Sequence, residues 1–154
     1  MRRKRLSVKW LRQRIGVSMS RLLFVDDDVD FLEVMTMFFE KHGYKVETAQ
    51  TPEAGFRKVQ SEPFDLVVLD VMMPSAFEGF QLAKNIRENL KLTDLPIIIL
   101  SCIHERKQVP YRFAPDRDYL PVDIFLDKPV KPDSLLEKIE KLLGENREKP
   151  AQDL

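Results

Sequence analysis

Cysteine, histidine and glycine are scarce in this chain of 154 residues, which holds one, two and five of them. The lone Cys102 excludes a disulfide framework and makes a reducing cytoplasm the expected setting. His42 falls at a helix end and His104 in a loop, and neither has company suggesting more than an ordinary role. No loop of glycine and hydroxyl residues follows the first apolar run, so the usual cradle for a flavin phosphate is missing; acids stand there instead. No apolar stretch approaches the length needed to span a bilayer. There is no internal repeat.

The length allows one domain and little more. The hydrophobic fraction of 44% is ordinary for a globular protein and predicts a sizeable core. The net charge of zero hides an asymmetry. Arg2, Arg3, Lys4, Arg5, Lys9, Arg12 and Arg14 put seven positive charges and no acid into the first 18 residues. Taking these from the 25 basic residues of the whole chain leaves 18 against 25 acids beyond Ser18, a net of −7. The main domain should therefore repel nucleic acid. The basic leader, 1–19, lacks the uninterrupted apolar stretch of a secretory signal. It reads first as sequence upstream of a natural start near Met19, next as a basic arm for an acidic surface, and last as a membrane-surface helix using Leu6, Trp10, Leu11 and Ile15.

From there, apolar runs alternate with amphipathic segments. Strands are expected at about Arg21–Val25, Lys45–Ala49, Asp65–Asp70, Pro96–Ser101 and Ile124–Asp127. Phe31, Leu32, Met35, Phe38 and Phe39 recur at helical spacing and predict a helix over about Val29–Lys41, capped by Asp28 and stopped at Gly43. Thr51-Pro52 pairs an N-cap hydroxyl with a proline at the first helical position, opening a helix to about Ser61. Further helices are expected at about Phe80–Asn89 and from Pro132 to Gly144, leaving 145–154 as a polar tail and 20–144 as the domain. Pro110, Pro115 and Pro121 divide Ile103–Asp123, so no long helix crosses it, though a short one before Pro110 fits.

Strands alternating with helices imply right-handed crossovers and a three-layer α/β sandwich. A first connection that runs one way and later ones the other give a doubly wound, flavodoxin-like parallel sheet of order 2-1-3-4-5, with its switch point between the first and third strands. Asp26 and Asp27 then stand opposite Asp70, with Ser101 and Lys128 at the ends of the neighbouring strands. Clustered carboxylates repel and take up protons unless a cation compensates them. Mg²⁺, which prefers a few carboxylates with waters and phosphate oxygens, suits such a cluster. Asp70, ending the most central strand, is the candidate nucleophile for an aspartyl phosphate. Lys128 would contact the transferring group and Ser101 would hydrogen-bond it once attached.

Val25-Asp26-Asp27-Asp28, Leu69-Asp70-Val71-Met72-Met73-Pro74, Ile99-Leu100-Ser101 and Asp127-Lys128-Pro129 occur in order and at fitting spacing. Across about Ser20–Gly144 the chain resembles the receiver domain of two-component response regulators, in a stand-alone, chemotaxis-regulator-like form. The resemblance implies that Asp70 is the phosphoacceptor. It makes Asp27 a direct ligand of Mg²⁺ or Mn²⁺, brings in Asp26 through water, and adds Asp70 and the Met72 carbonyl. Ser101 takes the switch hydroxyl position, Lys128 the phosphate-contacting lysine, and Phe125 the aromatic position that turns inward on activation. Lys128-Pro129 is expected to be cis. Met72 and Ile103 flank the path of attacking water in the family; both are apolar, so a long-lived aspartyl phosphate is expected.

Three departures bear on these expectations. The Pro74–Gly79 turn is one residue longer than is common in the family. Ile103–Asp123 replaces a helix that usually shares the output and dimer face. No effector domain is expected after the last helix. The partners implied are a sensor histidine kinase or phosphotransfer protein and a downstream protein target, with no DNA-binding domain and room for a homodimer. The expected role is a cytoplasmic phosphoacceptor that catalyses its own phosphorylation and slow dephosphorylation, without turnover of external substrates. A phosphorylation-independent adaptor on the same fold is the chief alternative. An aspartate-based phosphatase fits less well, since Met72 stands where the second acid of such enzymes usually does.

Overall fold

The computed structural model describes residues 20–71, 78–101 and 122–148; the leader 1–19, 72–77, 102–121 and 149–154 lie outside the described residues. The strands are β1 Arg21–Val25, β2 Lys45–Ala49, β3 Leu66–Asp70, β4 Ile97–Ser101 and β5 Ile124–Asp127. The described helices are α1 Val29–Lys41, α2 Pro52–Ser61, α3 Glu78–Glu88 and α4 Pro132–Glu148. All five strands are parallel, in the order β2-β1-β3-β4-β5, as the alternation of runs requires.

Strand periodicity of two divides the core into two layers. Leu23, Val25, Val67, Leu69, Ile97 and Ile99 face Val59 of α2 and Leu82 and Ile86 of α3. Leu22, Phe24, Leu66, Val68, Ile98 and Leu100 face Leu32, Met35 and Phe39 of α1 and Leu135, Ile139 and Leu143 of α4. β1, β3 and β4 are covered on both faces, which is why they read as continuous apolar runs rather than alternating ones.

Local chemistry sets the element ends. Asp28 Oδ1 accepts the Phe31 N–H at 3.1 Å and caps α1. Gly43 follows α1 at φ 89°, a left-handed position that suits glycine. Thr51 Oγ1 accepts the Ala54 N–H at 3.1 Å and caps α2, with Pro52 in the first turn. The Lys128-Pro129 peptide is cis.

The end of α4 corrects the expectation. The helix passes through Gly144 and ends at Glu148, so residues 145–148, expected in the tail, are helical. A mid-helix glycine costs only ~1 kcal/mol relative to alanine, and the Glu-Asn-Arg-Glu that follows contains no helix breaker. Gly144 does not take the positive φ that a glycine stop uses. The proline-divided segment 103–121, including the short helix expected before Pro110, lies outside the described residues.

Candidate metal and phosphoacceptor site

Strand parity builds this site. Asp26, Asp70 and Lys128 continue the even-numbered series of β1, β3 and β5 that faces α1 and α4. Val25 is in register with Leu69, so the next residues, Asp26 and Asp70, stand level at adjacent strand ends. This is the switch point of the sheet, where open parallel sheets hold their ligands. Asp26, Asp27 and Asp70 can each aim one carboxylate oxygen so that the three lie within 4.8 Å of one another. All are hard oxygen donors, the kind that Mg²⁺ and Mn²⁺ take. The donor set therefore fits a divalent cation.

The three acids differ in surroundings. Asp26 is 2% exposed and Asp70 8%, whereas Asp27 is exposed. Both oxygens of Asp26 are engaged: Oδ1 accepts the Asp28 N–H at 2.9 Å and Oδ2 accepts from Lys128 Nζ at 2.6 Å. The Asp26 backbone N–H is tied to the Ala49 carbonyl at 3.0 Å, which fixes the turn at the end of β1. Lys128 Nζ also lies 3.8 Å from Asp70 Oδ2. One ammonium thus compensates two nearly buried carboxylates, which would otherwise cost several kcal/mol to hold in the fold.

Behind Asp70 the backbone is tightly packed. The Val71 N–H donates to the Leu100 carbonyl at 3.2 Å, and Gly79 at the start of α3 donates to the Val71 carbonyl at 3.1 Å. Close approach explains why glycine stands there: a Cβ on Gly79 would meet the Asp70 carbonyl oxygen and lie 2.5 Å from the Val71 Cα.

Of the other expected site residues, Ser101 ends β4 with its backbone in register with Asp127. Phe125 is half-buried in β5, its ring stacked on Phe80 at 6.4 Å between centroids and 11° between planes. Met72 and Ile103 lie outside the described residues. A neighbour that the sequence reading took only as helix-face spacing is Phe31, whose ring centre lies 4.4 Å from Lys128 Nζ. Its sequence signal was its place in the first helical turn after the acids. Beside these residues a cleft of about 510 Å³ is lined by Asp30, Phe31, Val34, Lys128, Pro129 and Val130, among others.

Comparison with known proteins agrees with this geometry. The family model described as the response regulator receiver domain matches residues 22–140. The chain is 32% identical over 125 residues to the response regulator SaeR of Staphylococcus aureus, covering 81% of this chain and 51% of SaeR. It is 32% identical over 111 residues to the response regulator GtcR of Aneurinibacillus migulanus, covering 72% of this chain and 42% of GtcR. The chain therefore spans about half the length of the curated relatives it matches. Among solved structures, a CheY-like receiver domain protein from Methanospirillum hungatei superposes with a TM-score of 0.72 at 29% identity, covering 86% of this chain and 100% of that one. The response regulator TrrA of Thermotoga maritima, in complex with Mg(2+)-BeF, gives 0.65 at 32% identity, covering 80% of this chain and 99% of TrrA. Fold, acidic cluster and sequence likeness together place this chain in the response regulator receiver domain family of two-component systems.

Proposed function

We propose that this receiver domain accepts a phosphoryl group on Asp70 from a phosphohistidine of a sensor kinase or phosphotransfer protein, and that the modified site changes which protein it binds. The observation that carries this reading is the approach of Asp26, Asp27 and Asp70 oxygens to within 4.8 Å of one another, with Lys128 Nζ 3.8 Å from Asp70. The likeness to TrrA, solved with Mg(2+)-BeF, supports it.

In this reading an Asp70 carboxylate oxygen attacks phosphorus. The P–N bond of the donor breaks, and its electron pair returns to the imidazole. Lys128 offsets charge on a phosphoryl oxygen, and Asp26 holds Lys128 at hand. Asp27, Asp70 and the Met72 carbonyl, with Asp26 through water, would hold Mg²⁺ or Mn²⁺, which when bound supplies further positive charge against the phosphoryl oxygens. The Ser101 hydroxyl is drawn to the new phosphate, and Phe125 follows, biasing the β4–β5 region toward a second state. The domain, from Ser20 to the end of α4 at Glu148, works in the cytoplasm as a signalling phosphoacceptor.

The test is incubation with Mg²⁺ and acetyl phosphate, read by mass, and with Mg²⁺ and beryllofluoride, read by chemical shift. A phosphoryl adduct on the wild type, lost in Asp70→Asn, is the expected result. Metal binding without adduct or shift would reject it in favour of a constitutive adaptor.

A further inference from the structure

Lys128 is bounded on three sides. Asp26 Oδ2 lies 2.6 Å from its ammonium and Asp70 Oδ2 3.8 Å. The face of the Phe31 ring lies on the third side, with its centre 4.4 Å from Nζ. The lysine side chain is 16% exposed and Phe31 is half-buried, so ring and carboxylates together exclude much of the water that would solvate the ammonium.

The helix start that carries the ring is tied to Asp26 as well. Asp26 Oδ1 accepts the Asp28 N–H, and Asp28 Oδ1 accepts the Phe31 N–H. A circuit of contacts therefore runs from Asp26 through Asp28 and Phe31 to Lys128 and back to Asp26. Helical spacing alone would give Phe31 the role of core filler, and it does pack at the edge of the α1–α4 layer. Its face nonetheless meets a cation that belongs to the site.

We propose that Phe31 is a positioning residue for Lys128. Its ring face holds the ammonium where it can turn from Asp26 toward a phosphoryl oxygen on Asp70 without giving up a favourable neighbour. The physics suits that task. A carboxylate fixes the direction of an N–H, whereas the negative face of an aromatic ring attracts the whole cation and tolerates its reorientation. An aliphatic side chain of the same bulk would exclude water without that attraction, leaving the lysine committed to Asp26. The proposal rests on the reading of Asp70 as phosphoacceptor.

The experiment compares the 154-residue wild type, Phe31→Leu and Phe31→Tyr, with two readouts. The first is the chemical shift of the Lys128 Hε protons, which a ring face beneath them moves upfield. The second is the rate of phosphorylation by acetyl phosphate with Mg²⁺. The upfield shift is expected in wild type and Phe31→Tyr and should be lost in Phe31→Leu. Phosphorylation should slow about fivefold in Phe31→Leu, a cation–π contribution of ordinary size for a half-buried pair, and recover in Phe31→Tyr. Loss of thermal stability in Phe31→Leu with an unchanged Hε shift and rate would show packing alone and overturn the proposal. A wild type that takes phosphate, with Phe31→Leu equally fast, overturns the role of the ring and leaves Asp70 as acceptor. A wild type that takes no phosphate overturns the reading of Asp70 and this proposal with it.

Discussion

Replacing Lys128 by methionine keeps most of the apolar stem and removes the charge. The lysine is 2.6 Å from Asp26 and 3.8 Å from Asp70, whose side chains are 3% and 10% exposed. Without it, two nearly buried carboxylates remain, with an oxygen of Asp27 within 4.8 Å of theirs. Breaking a buried ion pair by deleting one partner costs ~3–5 kcal/mol. Asp27 is exposed and admits solvent on one side, which favours the lower end, about 3 kcal/mol. For a domain of this size that corresponds to a fall in melting temperature of about 12 °C. The measurement is thermal or urea unfolding of wild type and Lys128→Met in EDTA, then in excess Mg²⁺. A cation that binds only the folded state raises stability by about 2.7 kcal/mol at a hundredfold excess over its dissociation constant. The variant, with more uncompensated negative charge, should bind Mg²⁺ more tightly and gain more from it, so the gap narrows. Equal midpoints in EDTA would refute the claim that Lys128 compensates the acids. Equal gains from Mg²⁺ would refute the claim that the cation sits among them.

Two further predictions concern packing and pH. Gly79→Ala should cost about 3 kcal/mol or more, because its Cβ meets fixed backbone at Asp70 and Val71. Gly55→Ala in α2 should cost less, about 1–2 kcal/mol, because its Cβ meets side-chain atoms, the Val25 methyl groups at 2.9 and 3.1 Å, rather than backbone, and the gain in helix propensity offsets part of the crowding; equal losses in urea unfolding would contradict this account of the close approach behind Asp70. The Glu62 carboxyl is held below its ordinary value of 4.5, chiefly by the hydrogen bond from Arg21 Nη2 at 2.6 Å. A lowered folded-state pKa gives stability that is present above the unfolded pKa and lost as pH falls through the folded one. Glu62→Gln should therefore be less stable than wild type at neutral pH, with the difference closing in acid, and a difference that stays constant with pH would count against the pairing.

Much of the fold was legible because its central strands are covered on both sides. Leu66–Leu69 and Ile97–Leu100 can be unbroken apolar runs only where both faces are buried, and that restricts them to a parallel sheet between helix layers. Caps were equally readable, since Asp28 and Thr51 act through bonds to backbone only three residues away. Element ends were less so. Asp65 was expected to open β3, which begins at Leu66; Asp65 instead exchanges bonds with the Arg21 backbone through both its N–H and its carboxylate. Gly144 has the composition of a stop signal, but the conformation its neighbours impose decides whether it acts as one.

The site divides along the same line. A place at the C-terminal end of a strand is a property of sequence, and with the strand order it brought Asp26, Asp27, Asp70 and Lys128 to one switch point before any contact was known. What strand order could not supply was which acid the lysine would choose. Asp26 and Lys128 are 102 residues apart in the chain, yet their separation of 2.6 Å is shorter than the 3.8 Å between Lys128 and Asp70. That choice follows from three-dimensional facts. Asp26 is tied at its backbone to Ala49 and through Oδ1 to Asp28, so it presents Oδ2 as a fixed acceptor, and Phe31 stands where the ammonium arrives. The pairing keeps Lys128 engaged without committing it to Asp70. A carboxylate that is to take a phosphoryl group benefits when the nearest cation is held mainly by a neighbour, because a tight ion pair would tie up the attacking oxygen.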